Sequence, residues 1–343
     1  MSGTKPRGVH LVGSVPLRSA EEVFRLAAST LGKRLKRIPD GETGSRINWI
    51  GWQYAVMKEL PFFEPVPPDP KAYAPLPKVR LKPGTRAADI RFGNLGYAAA
   101  ASHSYSIFKS LLGSGAIPKG TRFQVSLPTP LAPVNAFVVE DNQEQVEPSY
   151  ERQLLEELKQ IIKTVPKDQL AIQWDVAVEM AILEGVFKTV IADPMAGILR
   201  RLGTLGDAVP GGVEVGYHLC YGDFGHRHFK QPKDASRLVE LANGVVSSVR
   251  RHINWIHMPV PRERTDEEYF RPLAGLHLKP DTELYLGLVH YTDGVEGTNR
   301  RINAAQRVRP SFGVATECGM GRRPPETIEG LLKIHAEVSD PAE

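Results

Sequence analysis

VEVGYHLC (213–220) is apolar through its middle and turns polar only at its end, where His218 and Cys220 stand two residues apart. Such a run suits a parallel strand covered on both faces, with its functional groups displayed at the C-terminal rim. Seven further runs share this character: GVHLVGSV (8–15), RLKRIPDG (34–41), RFQVSLPT (122–129), LAIQWDVA (170–177), HINWIHMP (252–259), LYLGLVHY (284–291) and FGVATECG (312–319). Eight strands alternating with helices predict an α/β fold, a single TIM-type (β/α)8 barrel spanning residues 1–343.

The helices between the strands carry readable start signals. Ser19-Ala20-Glu21-Glu22 forms a capping box ahead of Val23, Leu26 and Ala27, and Asp193-Pro194 opens another helix. Further helical stretches are expected at 149–164 (Leu154, Leu155, Leu158, Ile161 and Ile162), 234–250, 296–308 and 325–338. The exception to this rhythm is 50–120, an insertion after the second strand that is too long for one connection. Eight prolines from Pro61 to Pro83 forbid a continuous helix or a central strand there. The segment is read as an excursion over the barrel mouth, returning through a helix around 95–112. Phe62, Phe63 and Tyr73 would either wall a substrate pocket or pack as a surface loop.

Composition narrows the function. The chain has 343 residues, 41% hydrophobic and 24% charged, and a formal net charge of +4. Lys and Arg are scattered, so nucleic-acid binding finds no basic block to rest on. No apolar run approaches the roughly 20 residues that span a bilayer. Met1-Ser2-Gly3-Thr4-Lys5-Pro6 lacks the apolar core of a secretion signal, so a cytoplasmic location is expected. A reducing compartment would keep the two cysteines, Cys220 and Cys318, as thiols.

Strand residues two apart share a face, so His218 and Cys220 can offer an imidazole and a thiolate to one ion. Cys318, ending the eighth run, supplies a second sulfur at the same rim. Zinc favours this donor set, which leaves room for a fourth partner. Two buried structural cysteines are the blander reading. His257 ends the sixth run and is either the fourth ligand or a hydrogen-bonding group behind the site. Asp40-Gly41-Glu42-Thr43-Gly44-Ser45-Arg46 makes a polar loop suited to gripping an amine or hydroxyl, or else a tight turn with Gly44 at positive φ. Asp175 closes an apolar strand, where a charge needs a metal, a cationic substrate or a hydrogen-bond partner. His290, Tyr291 and Asp293 offer proton donors or acceptors, and Arg322 and Arg323 could bind a carboxylate or phosphate.

Taken together these blocks resemble the catalytic C-terminal barrel of cobalamin-independent methionine synthase, in the superfamily that also contains uroporphyrinogen decarboxylase. Val12-Gly13-Ser14-Val15-Pro16 is similar to the first-strand segment that holds homocysteine. Gly41-Glu42 with Arg46 resembles the loop whose glutamate binds the amino acid, and Gln173 with Asp175 resembles the strand whose aspartate contacts the same ligand. His218-x-Cys220-Tyr221, and Cys318-Gly319 followed by Arg323, resemble the zinc motifs. The resemblance implies a zinc cofactor on His218, Cys220 and Cys318, with His257 at the family's glutamate-ligand position. It implies substrate contacts from Gly13, Ser14, Glu42, Arg46, Asp175 and Arg323, and a proton donor in Asp293 or His290. The implied reaction is methyl or alkyl transfer to a zinc-activated small-molecule thiol, with or without a homo-oligomer. One barrel without the family's second, folate-holding barrel points away from polyglutamyl folate. Neutral His257 in place of an anionic glutamate would acidify the bound thiol while weakening it as a nucleophile, which implies a more reactive donor, such as a methyl-corrinoid protein, an activated methyl compound or an epoxide. The rivals are a metal-free lyase or decarboxylase built on Asp175, Glu42 and arginines, with the cysteines only packing, and a non-catalytic binding protein on a borrowed barrel.

Overall fold

A computed structural model gives the structure of the protein and describes residues 4–71, 75–224 and 227–342. Its strands, in chain order, are β1 Val9–His10, β2 Arg37–Pro39, β3 Phe63–Val66, β4 Lys78–Leu81, β5 Arg122–Pro128, β6 Leu170–Val176, β7 Glu214–Leu219, β8 Trp255–Pro259, β9 Glu283–Val289 and β10 Gly313–Thr316. Eight of them form one sheet in the order β1-β10-β9-β8-β7-β6-β5-β2. Every pairing in it is parallel. A parallel bridge from Val9 to Leu35 joins the two ends, so the sheet closes as the expected (β/α)8 barrel.

Each of the eight predicted runs contains a strand, but the first two shrink to two and three residues. Beyond β1 the ladder gives way to side chains. Gln124 Nε2 donates to Leu11 O at 3.0 Å, and Gln173 Nε2 and Ser126 Oγ donate to Val12 O at 2.6 and 3.0 Å. Val12, Gly13 and Ser14 are thereby freed to line the mouth while the Leu11 and Val12 carbonyls stay satisfied.

The period of two along β7 sorts its side chains. Tyr217 points outward and its hydroxyl donates to Leu202 O in the helix Pro194–Ala208. Glu214, Gly216 and His218 point inward, where they meet Arg37, the Trp255 ring and His257. A Cβ at Gly216 would lie 2.1 Å from Trp255 Cδ2, and one at Gly313 would lie 2.4 Å from Tyr285 Cε1, so only glycine leaves space for these rings. Trp255 and Tyr285 pack with Ala171 as a small apolar layer inside the barrel.

Below that layer, buried Arg37 bonds Glu214 and reaches Glu283 at 2.7 Å, with its guanidinium carbon 4.2 Å from the Trp255 ring centre. Lys36 and Arg122 complete the cluster on Glu283 and Glu214. Charged groups at this depth are tolerable because each has an opposite partner.

The capping signals hold: Ser19 accepts from Glu22 N, and Asp193 from Ala196 N. One helix runs Glu140–Thr164, nine residues earlier than expected, because Pro148 is accommodated inside it instead of marking its start. The proline-rich excursion folds as an antiparallel pair of β3 and β4 and returns through a helix at Tyr97–Gly113. No helix among the described residues is long and apolar enough to cross a membrane.

Removing one partner of a buried ion pair strands the others. Arg37→Ala should therefore lower unfolding free energy by roughly 3–5 kcal/mol in urea denaturation, and a loss below 1 kcal/mol would contradict this account of the barrel floor.

Candidate active site

Parallel register sets Asp175, His218 and His257 side by side on β6, β7 and β8. Two residues beyond His218, Cys220 follows directly on the end of β7. Cys318 arrives from the loop after β10, and its Sγ lies 3.6 Å from Cys220 Sγ. The ligand atoms of His218, Cys220 and Cys318 all lie within 4.8 Å of one another. Two sulfurs about 2.3 Å from a tetrahedral zinc ion stand about 3.8 Å apart, so the thiols are spaced as a zinc site requires.

The electrostatics agree with that donor set. The hydrogen bond with Cys220, then burial, then repulsion from charge on Cys220 push the Cys318 thiol well above the usual range. A divalent cation reverses this and deprotonates a coordinating thiol outright. Gly222 N donates to Cys220 Sγ at 3.2 Å.

The loop after β10 is held by β1's extension: Met320 N donates to Ser14 O at 2.7 Å and Gly321 N to Ser14 Oγ at 3.3 Å. A Cβ on Gly319 would lie 2.4 Å from Ser14 Oγ, so glycine there lets Cys318 sit against the first strand. Ser14 thus positions the cysteine as well as lining the cavity.

These residues open into a cavity of about 1130 Å³, far larger than an amino-acid thiol. Gly13, Ser14, Glu42, Asp175, His218, Cys220 and Cys318 line it. Asp175 accepts from Gln173 Nε2 at 2.9 Å and from Trp49 Nε1 at 3.1 Å. Burial pushes its carboxyl up to about 7 against the pull of those two donors. Burial and then the Asp175 charge raise Glu42 well above the ordinary carboxylate range. Glu42 sits at φ 47, a left-handed conformation costly outside glycine and typical of residues held for a purpose. A Cβ at Gly13 would come within 2.8 Å of its Oε1. Gly44 has the positive φ expected of the turn.

No family model matches the sequence, and no curated protein matches it. Solved structures do match. A protein from Listeria monocytogenes assigned as a vitamin-B12 independent methionine synthase is 14% identical, with a TM-score of 0.56 over 98% of this chain and 98% of its own. A methyltransferase from Methanosarcina mazei is 11% identical, with a TM-score of 0.57 over 97% of this chain and 94% of its own. At these identities the likeness establishes the shared fold.

Several expected residues lie elsewhere. Asp293 is gripped by both terminal nitrogens of buried Arg301, at 2.6 and 2.9 Å. Burial raises its pKa, but Arg301 more than offsets this and holds the carboxyl below its usual range. His290 donates Nε2–H to Val260 O at 2.9 Å and does not line the cavity. His257 is buried behind His218 and outside the ligand group, with Nδ1 2.6 Å from His218 Nδ1 and Nε2 3.0 Å from Thr316 O. Arg46 is turned away onto Asp40 at 2.6 Å. The arginine on the cavity wall is Arg322, beside Asp223, whereas the charge of Arg323 faces Glu317 and His335. Phe62 and Phe63 pack with Phe92, in the loop reading, and Tyr73 lies outside the described residues.

Trp49, Trp52, Phe187 and Phe229 supply the aromatic wall instead. Sequence reasoning passed over them because they stand in irregular segments without periodicity. Trp49→Phe removes one donor to Asp175, so the Asp175 carboxyl should titrate higher than in the native protein, as followed by carbon-13 NMR. An unchanged or lower value would contradict the hydrogen bond's role.

Proposed function

We propose that the protein is a zinc-dependent transferase that alkylates, or methylates, a small thiol carrying an amino group. The observation carrying this reading is the 3.6 Å pair of cysteine sulfurs beside His218, at one end of a cavity that also presents two carboxylates. The barrel shared with a methyltransferase and a methionine synthase-like protein supports it.

His218, Cys220 and Cys318 would hold the ion. Bound there, zinc supplies Lewis acidity that keeps a substrate thiol as thiolate near neutral pH. With two anionic sulfurs and a neutral imidazole, the donor set leaves the centre able to accept a further anionic sulfur. Glu42 and Asp175 would take the ammonium group of the thiol substrate, a cation that repays burying two carboxylates close together. Trp49 keeps Asp175 aimed into the cavity. The remaining volume, walled by Trp52, Phe187 and Phe229, would hold the alkyl donor and exclude water from it. The donor would be a methyl-corrinoid protein, an activated methyl compound or an epoxide.

Protein purified without added metal should contain close to one zinc per chain, lost in Cys220→Ser and in Cys318→Ser. It should consume an alkylating donor only when an amino thiol is present. Metal-free protein that turns over a carboxylated substrate without any thiol would overturn the proposal in favour of a lyase.

Binding of the amino thiol should depend on pH through the carboxylates. Because Asp175 ionises near 7, affinity should rise as pH increases through that value. Asp175→Asn should bind roughly tenfold or more weakly, as loss of a buried charge-assisted hydrogen bond implies, and should lose that step in a calorimetric pH series. A pH-independent native affinity would contradict the assignment.

A further inference from the structure

His257 is wholly buried, lies directly behind His218 and does not line the cavity. The hydrogen-bond accounting gives it a task. Thr316 O can only accept, so His257 Nε2 carries the proton of their 3.0 Å bond. Among the described residues no carboxylate hydrogen-bonds to this ring, and a buried imidazole without an anionic partner is neutral. Its Nδ1 therefore holds a lone pair. The 2.6 Å contact between the two Nδ1 atoms then requires the proton to sit on His218 Nδ1. By the same count, neutral His218 keeps its lone pair on Nε2.

We infer that His257 is a positioning residue for the metal centre: it accepts from His218 Nδ1 and fixes His218 in the tautomer whose Nε2 is the metal ligand. The inference rests on the zinc reading above. It makes the chain Thr316 O, His257, His218 a relay of backbone carbonyl and imidazole that orients the ligand, as outer partners of metal-bound histidines do. It also leaves the protein supplying three ligands, so the fourth position belongs to the substrate sulfur rather than to His257.

Three readings on the full chain test this. In metal-free protein labelled with nitrogen-15 histidine, His218 should carry its proton on Nδ1; a proton on Nε2 would overturn the proposal. Zinc X-ray absorption of the native protein should show two sulfurs and one imidazole, and a second imidazole would overturn it. Zinc affinity, measured against a chelator, should fall about 10–100-fold in His257→Phe, the range for loss of an outer partner. His257→Asn, whose Oδ1 can accept where Nδ1 did, should recover most of that loss. Equal losses in both variants, or none in His257→Phe, would contradict the positioning role. Should His257→Phe fail to fold, the nitrogen-15 and absorption readings on the native protein decide alone. Native protein that takes up no zinc would instead remove the metal reading itself, with the tautomer still readable.

Discussion

Two thiols 3.6 Å apart cannot both lose their protons unless a cation sits with them. That constraint organises the rim of the barrel. β7 brings Cys220 to its end two residues after His218, and the loop after β10 brings Cys318, pinned by Ser14 on the extension of β1. The arrangement draws on elements from the first, fifth and last strands of the barrel ring in chain order, so it forms only when the ring has closed. The imidazole and one of the thiols are buried.

The same logic runs down the barrel interior, which is unusually polar. Its floor is an ion cluster around Arg37, its middle a layer of Trp255 and Tyr285, and its upper part a hydrogen-bonded set of glutamines, histidines and carboxylates. Gln173 joins these levels. Its Oε1 accepts from His10 Nε2 at 2.7 Å on one side and its Nε2 donates to Asp175 Oδ1 at 2.9 Å on the other. Asp175 is thus held by the barrel itself rather than by a mobile loop, and its raised pKa follows from that burial. In the proposed reaction such a carboxylate, fixed in place beside the His218 and cysteine set, would help position the substrate.

Much of this was legible in the amino-acid order because buried parallel strands announce themselves as short apolar runs, and a period of two puts His218 and Cys220 on one face. Cys318 followed from the same rim argument. Less legible were side chains whose partners are remote or irregularly placed. Asp293 reads as a free acid until Arg301, eight residues on along the next helix, is seen to be wholly buried against it. Arg46 and Arg323 read as substrate grips, yet their charges face Asp40 and Glu317. Trp49 and Trp52 lie at the start of the irregular stretch after β2, where no periodicity assigns a side chain to a face. His257 shares a face with His218, as its strand position implied, but only the position of Thr316 O shows that both its nitrogens are taken.

Diffraction data collected at the zinc absorption edge, from crystals of protein grown with zinc, bear most directly on the central claim. The account predicts one strong anomalous peak about 2.3 Å from both cysteine sulfurs and about 2.0–2.1 Å from the His218 imidazole. A peak elsewhere, or none between Cys220 and Cys318 at full zinc loading, would contradict it.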